Sequence, residues 1–103
     1  MLANAQINAI PQKLPFVGWS DPDPRRIVAR NIRALIDYDR DHGGPCYDKK
    51  RLALRAGLTP STVGRILSLE HAPGVDTLDD IAHAFGLLAW QLLVPNLGLR
   101  RAA

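Results

Sequence analysis

Two short helix-forming stretches, Lys49 to Ala56 and a second opening at Thr59-Pro60, are separated by only three residues, Gly57-Leu58-Thr59. No other feature restricts the fold of this chain as tightly. Helices joined by so short a turn must cross steeply, and their contact demands particular residue types. Gly57 can adopt the left-handed backbone such a turn requires, and Ala53 is small where the helices come close. Leu52, Ala56, Leu58, Val63 and Ile66 supply the apolar contacts beneath them. A generic helical hairpin satisfies some of these needs by chance and rarely all of them.

The flanking sequence builds further helices around this pair. Asp23-Pro24 opens a first helix, with Asp as cap and Pro at the first helical position. Val28, Ile32, Leu35 and Ile36 give it one apolar face, and it is expected to end near Tyr38 or Asp39. The stretch Arg40 to Tyr47, carrying Gly43-Gly44-Pro45, reads as a loop. Asp48 caps the second helix and Gly57 stops it, while the third runs to about Ser68. After the turn Ala72-Pro73-Gly74, Thr77 is expected to start a fourth helix, with Asp80 at capping-box spacing. Leu78, Ile81, Ala82 and Phe85 mark its buried side, and Gly86 closes it. Trp90, Leu92 and Leu93 suggest a short fifth helix before Pro95. There is no β-alternation and no repeat. The expectation is an all-α, five-helix domain over 24–95, preceded by an extended N-terminal arm (1–23) and followed by a tail (96–103). Prolines at 11, 15, 22 and 24 keep the arm from regular structure, and Phe16, Val17 and Trp19 make it an apolar patch.

The charge is unevenly distributed. From Arg25 to Arg65 there are ten Lys or Arg residues against four Asp, whereas Ile66 to Leu99 holds no basic residue and four acidic ones. One end of the domain is cationic, as facing phosphates would require. No apolar run reaches the 18 or so residues that cross a bilayer, and the N-terminus lacks a basic start and reads as no secretory signal. Cys46, the single cysteine, cannot form an internal disulfide and fits a reducing cytoplasm.

Taken together, DKKRLALRAGLTPSTVGRILS, TLDDIAHAFGL and AWQLLVP resemble the XRE group, the Cro and phage-repressor-like helix-turn-helix proteins. The resemblance covers about Arg26 to Pro95. It implies a phage-repressor-like domain that binds a double-stranded DNA operator, usually as a dimer, and acts as a transcriptional repressor. Where the family usually opens its second helix with a phosphate-binding Gln, this chain has Lys49, which keeps the contact as a point charge. Base contacts are implied at the start of the third helix, at Pro60, Ser61 and Thr62, and on its next exposed turn, at Gly64 and Arg65. Arg65 can donate twice to guanine and is the expected main specificity residue. Further phosphate contacts are expected from Lys50, Thr59, Ser68 and Arg33. Lys49, Lys50, Arg51 and Arg55 cannot all face DNA, so part of that helix is a solvated face. The family keeps a short loop between its first two helices. The longer RDHGGPCYD here puts Arg40 or His42 within reach of the DNA backbone.

One such helix reads few base pairs, so a homodimer is expected, through the apolar ending Leu88, Trp90, Leu93, Leu97 and Leu99 or through the arm. Two other classes share the fold: an antitoxin whose arm around Phe16 and Trp19 grips a toxin, and an adaptor that binds only protein. Enzymatic function is not expected. Ser61, Asp79 and His83 lie on helices with separate roles, and Gly43-Gly44-Pro45 lacks the Lys-Ser/Thr of a phosphate loop. His42 and Cys46 have no further partners with which to complete a zinc site, and no cofactor is implied.

Overall fold

The computed structural model describes residues 23–95. Residues 1–22 of the arm (1–23), the tail (96–103), and the roles expected of Phe16, Val17, Trp19, Leu97 and Leu99 lie outside the described residues. Helix α1 (Pro24–His42) starts where Asp23 caps it, its carboxylate accepting the Arg25 N–H at 3.0 Å. Hydrogen bonds from the Arg25 side chain and then from its N–H hold the Asp23 carboxyl below its ordinary pKa. Val28, Ile32, Leu35 and Ile36 are buried as their spacing predicts.

α1 does not stop at Tyr38 or Asp39. It continues for another turn to His42 because Asp39 is turned inward and holds the chain that follows. The Asp39 carboxylate accepts the Cys46 N–H at 3.0 Å and its backbone carbonyl accepts the Gly44 N–H at 2.7 Å. The connection is therefore residues 43–48, shorter than the sequence suggests. Gly44 passes close over Asp39: a Cβ there would lie 2.5 Å from Oδ1 and 2.8 Å from Cβ of that residue.

Helix α2 (Lys49–Ala56) begins at Asp48, whose carboxylate accepts the Arg51 N–H at 2.8 Å. Gly57 ends it with φ 74°, and the Leu58 N–H returns to the Ala53 carbonyl at 2.8 Å. This left-handed residue and the bond that follows it define the tight turn anticipated from Gly57-Leu58-Thr59. Helix α3 (Pro60–Leu67) follows at once, capped by Thr59. Leu52, Ala53, Ala56, Val63 and Ile66 are buried and Leu58 packs partly buried against them. α3 ends in the same manner as α2, but with Leu69 in the left-handed position at φ 67°. The Glu70 N–H bonds the Arg65 carbonyl at 2.9 Å across that turn. An L-residue pays about 1–2 kcal/mol for this backbone, and packing of the Leu69 side chain against the core offsets it.

Helix α4 (Val75–Ala84) starts two residues before Thr77, at the turn after Pro73, with the Gly74 carbonyl accepting the Leu78 N–H at 2.9 Å. Asp76 thereby joins the first turn, where the helix dipole favours an anion. Thr77 and Asp80 lie within the helix, so no capping box forms there. The expected fifth helix is a single 3-10 turn, Ala89–Leu93. Five residues ahead of Pro95 leave little room for α-helical bonding. The described residues thus form four α-helices and one 3-10 turn, without strands. α1 packs on α3 and on the 3-10 turn, α2 on α3 and α4, and α4 on the 3-10 turn.

Candidate nucleic-acid interface

The apolar spacing of α3 decides which of its residues can meet a ligand. Val63, Ile66 and Leu67 are buried, which turns Ser61, Arg65 and Ser68 outward on the opposite face. Pro60 is exposed at the first position, and Thr62 and Gly64 are half-buried at the edges of that face. The five residues expected to touch bases therefore run from the first turn to the last along one side of a helix packed from beneath. Thr59 fixes the N-terminal end: its Oγ1 accepts the Thr62 N–H at 3.1 Å and lies 2.9 Å from Thr62 Oγ1.

Gly64 has no structural reason to be glycine. It lies mid-helix, and a Cβ built there meets nothing within 4 Å. Glycine in a helix costs about 0.5–1 kcal/mol relative to Ala, and no packing contact at this position offsets that cost. What glycine leaves at this edge is bare backbone that a ligand can approach closely.

The cationic residues sort into distinct environments. Lys49 and Lys50 are exposed in the first turn of α2. Lys49 lines a cleft of about 260 Å³ between α1 and α2 with Arg33 and Arg40, residues separated in sequence. Two acidic residues of this cleft are engaged, Asp37 with Arg40 at 2.5 Å and Asp48 as the α2 cap. Arg33 is exposed and also donates to the Leu67 carbonyl at 3.2 Å, which fastens the last turn of α3 to α1. That anchoring role was not legible in the sequence. The Ser68 hydroxyl is within bonding distance of the Glu70 carboxylate at 2.9 Å and the Arg65 carbonyl at 3.2 Å, so a phosphate would have to compete for it. His42 stacks on Tyr38, with 4.0 Å between ring centroids, and bonds its carbonyl rather than projecting from a loop. Arg55 turns to the far side, donating to the Ala84 carbonyl at 3.3 Å.

His83 pairs with Asp79 one turn away at 3.5 Å, as their spacing suggests. Cys46 is fully buried with its thiol 3.5 Å from the Ala84 carbonyl. Among the described residues, no three His, Cys, Asp or Glu side chains gather as metal ligands, and no helix is long and apolar enough to cross a membrane.

Comparison with known proteins follows the same outline. Residues 47–89, from the start of the α2 cap to the 3-10 turn, match the family model described as Helix-turn-helix. A solved repressor from a Salmonella temperate phage superposes with a TM-score of 0.63 at 28% identity, over 70% of this chain. The chain spans 66% of that repressor's length, just under two thirds. A hypothetical transcription factor, NHTF, from Neisseria superposes equally well, with a TM-score of 0.63 at 24% identity, covering 90% of this chain and 95% of its own. At that identity the likeness speaks for the fold. No match is found among curated proteins.

Proposed function

We propose, from the premise that this chain belongs to the XRE-type helix-turn-helix family of DNA-binding transcription regulators, that it is a repressor reading the major groove of an operator with α3. The observation that carries the proposal is the outward face of α3. Arg65 is exposed there, Gly64 offers backbone without a packing role, and Ser61 lies a turn away. Pro60 and Thr62 complete the base-facing end. Lys49 and Arg33 take phosphates at the α1–α2 cleft, Lys50 takes one from the first turn of α2 outside it, and Thr59 and Ser68 meet the backbone at the two ends of α3.

One copy of α3 covers too few base pairs to select a site, so a two-fold dimer with half-sites about 34 Å apart accompanies this reading. Leu88, Leu93 and Trp90, the last 62% exposed, form an apolar surface on and before the 3-10 turn that a second copy would bury. The test is selection of bound sequences from a random duplex pool, followed by titration of the winner at several salt concentrations. A palindromic consensus and a steep fall of affinity with salt are expected. Equal binding to all duplexes would overturn base reading.

Gly64→Ala separates function from stability at the same site. The new methyl enters open space, so the fold gains about 0.5–1 kcal/mol, a rise in Tm on the order of 3–6 °C for a domain of this size. Operator affinity falls in the same protein, because the methyl stands between backbone and base edge. Thermal unfolding and DNA titration of one preparation check both. A variant more stable and equally tight-binding would remove Gly64 from the interface.

A further inference from the structure

A second surface lies along the outer side of α2. Leu54 is 73% exposed in the middle of a helix whose other apolar residues are buried. It forms the floor of an open groove of about 530 Å³ with Tyr47, Leu58 and Pro60, rimmed by Lys50 and Arg51. The guanidinium of Arg51 stands 5.5 Å from the centre of the Tyr47 ring, which keeps it at the rim. Asp48 also lines the groove, but its carboxylate is turned onto the Arg51 N–H at 2.8 Å as the helix cap.

We propose that this groove docks a segment of a partner protein in which acidic side chains flank one or two apolar anchors. Lys50 and Leu54 lie one turn apart on a single face of α2, and Leu58, in the turn after Gly57, extends the apolar lining of the groove, so charge and apolar contact run along one stripe. Such a stripe suits an extended or helical segment lying across it, with an apolar side chain on Leu54 and carboxylates on Lys50 and Arg51. Nucleic acid does not account for it. A phosphate backbone uses the two cations and can use the tyrosine hydroxyl, but it has no need of a leucine as exposed as Leu54 beside them. The proposal stands apart from operator recognition, though Lys50 and Pro60 are shared. A bound acidic segment and the DNA backbone would therefore compete for that lysine, which couples partner binding to release of DNA.

The experiment selects short peptides from a random displayed library against the full chain and titrates the winners as free labelled peptides. Acidic sequences around Leu, Phe or Trp are expected. Leu54→Ser, an exposed change that leaves the core intact, is expected to weaken them by about tenfold or more. Arg51→Ala is expected to flatten their salt dependence, and Leu54→Ser to bind operator DNA as the parent does. Selected peptides that ignore Leu54→Ser, peptides without acidic residues, or no enrichment at all would overturn the proposal. So would loss of duplex binding in Leu54→Ser, which would assign the groove to the DNA interface. A parent chain that binds no duplex but retains these peptides would refute operator reading and leave the groove standing.

Discussion

Arg65→Ala is expected to lower affinity for the selected operator by about 5- to 150-fold, the equivalent of about 1–3 kcal/mol, and to relax selection at one base position. The loss should lie in recognition and not in folding. Arg65 is exposed, and its backbone carbonyl, which accepts the Glu70 N–H at 2.9 Å and the His71 N–H at 3.3 Å, is unchanged by truncating the side chain. Alanine also favours helix at least as well, so the unfolding midpoint should move little. Arg65→Lys keeps the charge but loses the planar fork, so it should recover part of the affinity and little of the base preference. Lys49→Ala provides the contrast, weakening all duplexes alike and reducing the salt slope by about one. If Arg65→Ala behaved in that uniform way, Arg65 would be a phosphate ligand and base reading would rest on Ser61 and Gly64.

How much of this was legible beforehand depended on the range of the interactions involved. The α2–α3 turn is set by residues within a few positions of each other, so Gly57 and the apolar set beneath it could be read directly. The same holds for the Asp23, Asp48 and Thr59 caps, each of which reaches only two or three residues onward. The end of α1 at His42 departs from the expected Tyr38 or Asp39 because Asp39 acts across seven residues through Cys46, and no local pattern marks a carboxylate that turns inward. α4 begins at Val75, behind Gly74 as its cap, because the turn geometry after Pro73 prevails over the Thr77 signal. In the site, the outward positions of α3 followed from its period alone. The partnership of Arg33 with Leu67, 34 residues away, did not. The exposure of Leu54 has no local signature, because a lone leucine in a short helix looks like core until neighbouring packing is known.

Asn31 is the clearest case of a residue that sequence reasoning passes by, and its replacement should have the largest effect on stability. It sits within α1 at 2% exposure, between Arg30 and Ile32. Its side-chain amide donates to the Leu92 carbonyl at 2.7 Å and to the Val94 carbonyl at 2.8 Å. Both acceptors belong to the end of the 3-10 turn, too short a segment to satisfy its own backbone. Asn31→Ala leaves two carbonyls without these donors, at about 1–3 kcal/mol for a buried group. A total of about 2–4 kcal/mol is expected, allowing for partial hydration of the second, against a stability of about 5–15 kcal/mol for a small domain. Asn31→Asp should be worse near neutral pH, because a carboxylate would face two carbonyl oxygens. Burial and those oxygens raise its folded-state pKa above the unfolded value, so the neutral acid is the better-tolerated form. The deficit against the parent should therefore shrink as pH falls towards the unfolded carboxylate pKa of about 4. Because Asn31 holds the segment bearing Trp90 and Leu93, amide exchange should accelerate there first, and dimer-dependent operator binding should weaken while α3 remains folded. Thermal unfolding across pH, with exchange read along the chain, tests this. An Asn31→Ala protein of unchanged midpoint and unchanged exchange at residues 89–95 would show that the 3-10 turn is held by its apolar contacts alone.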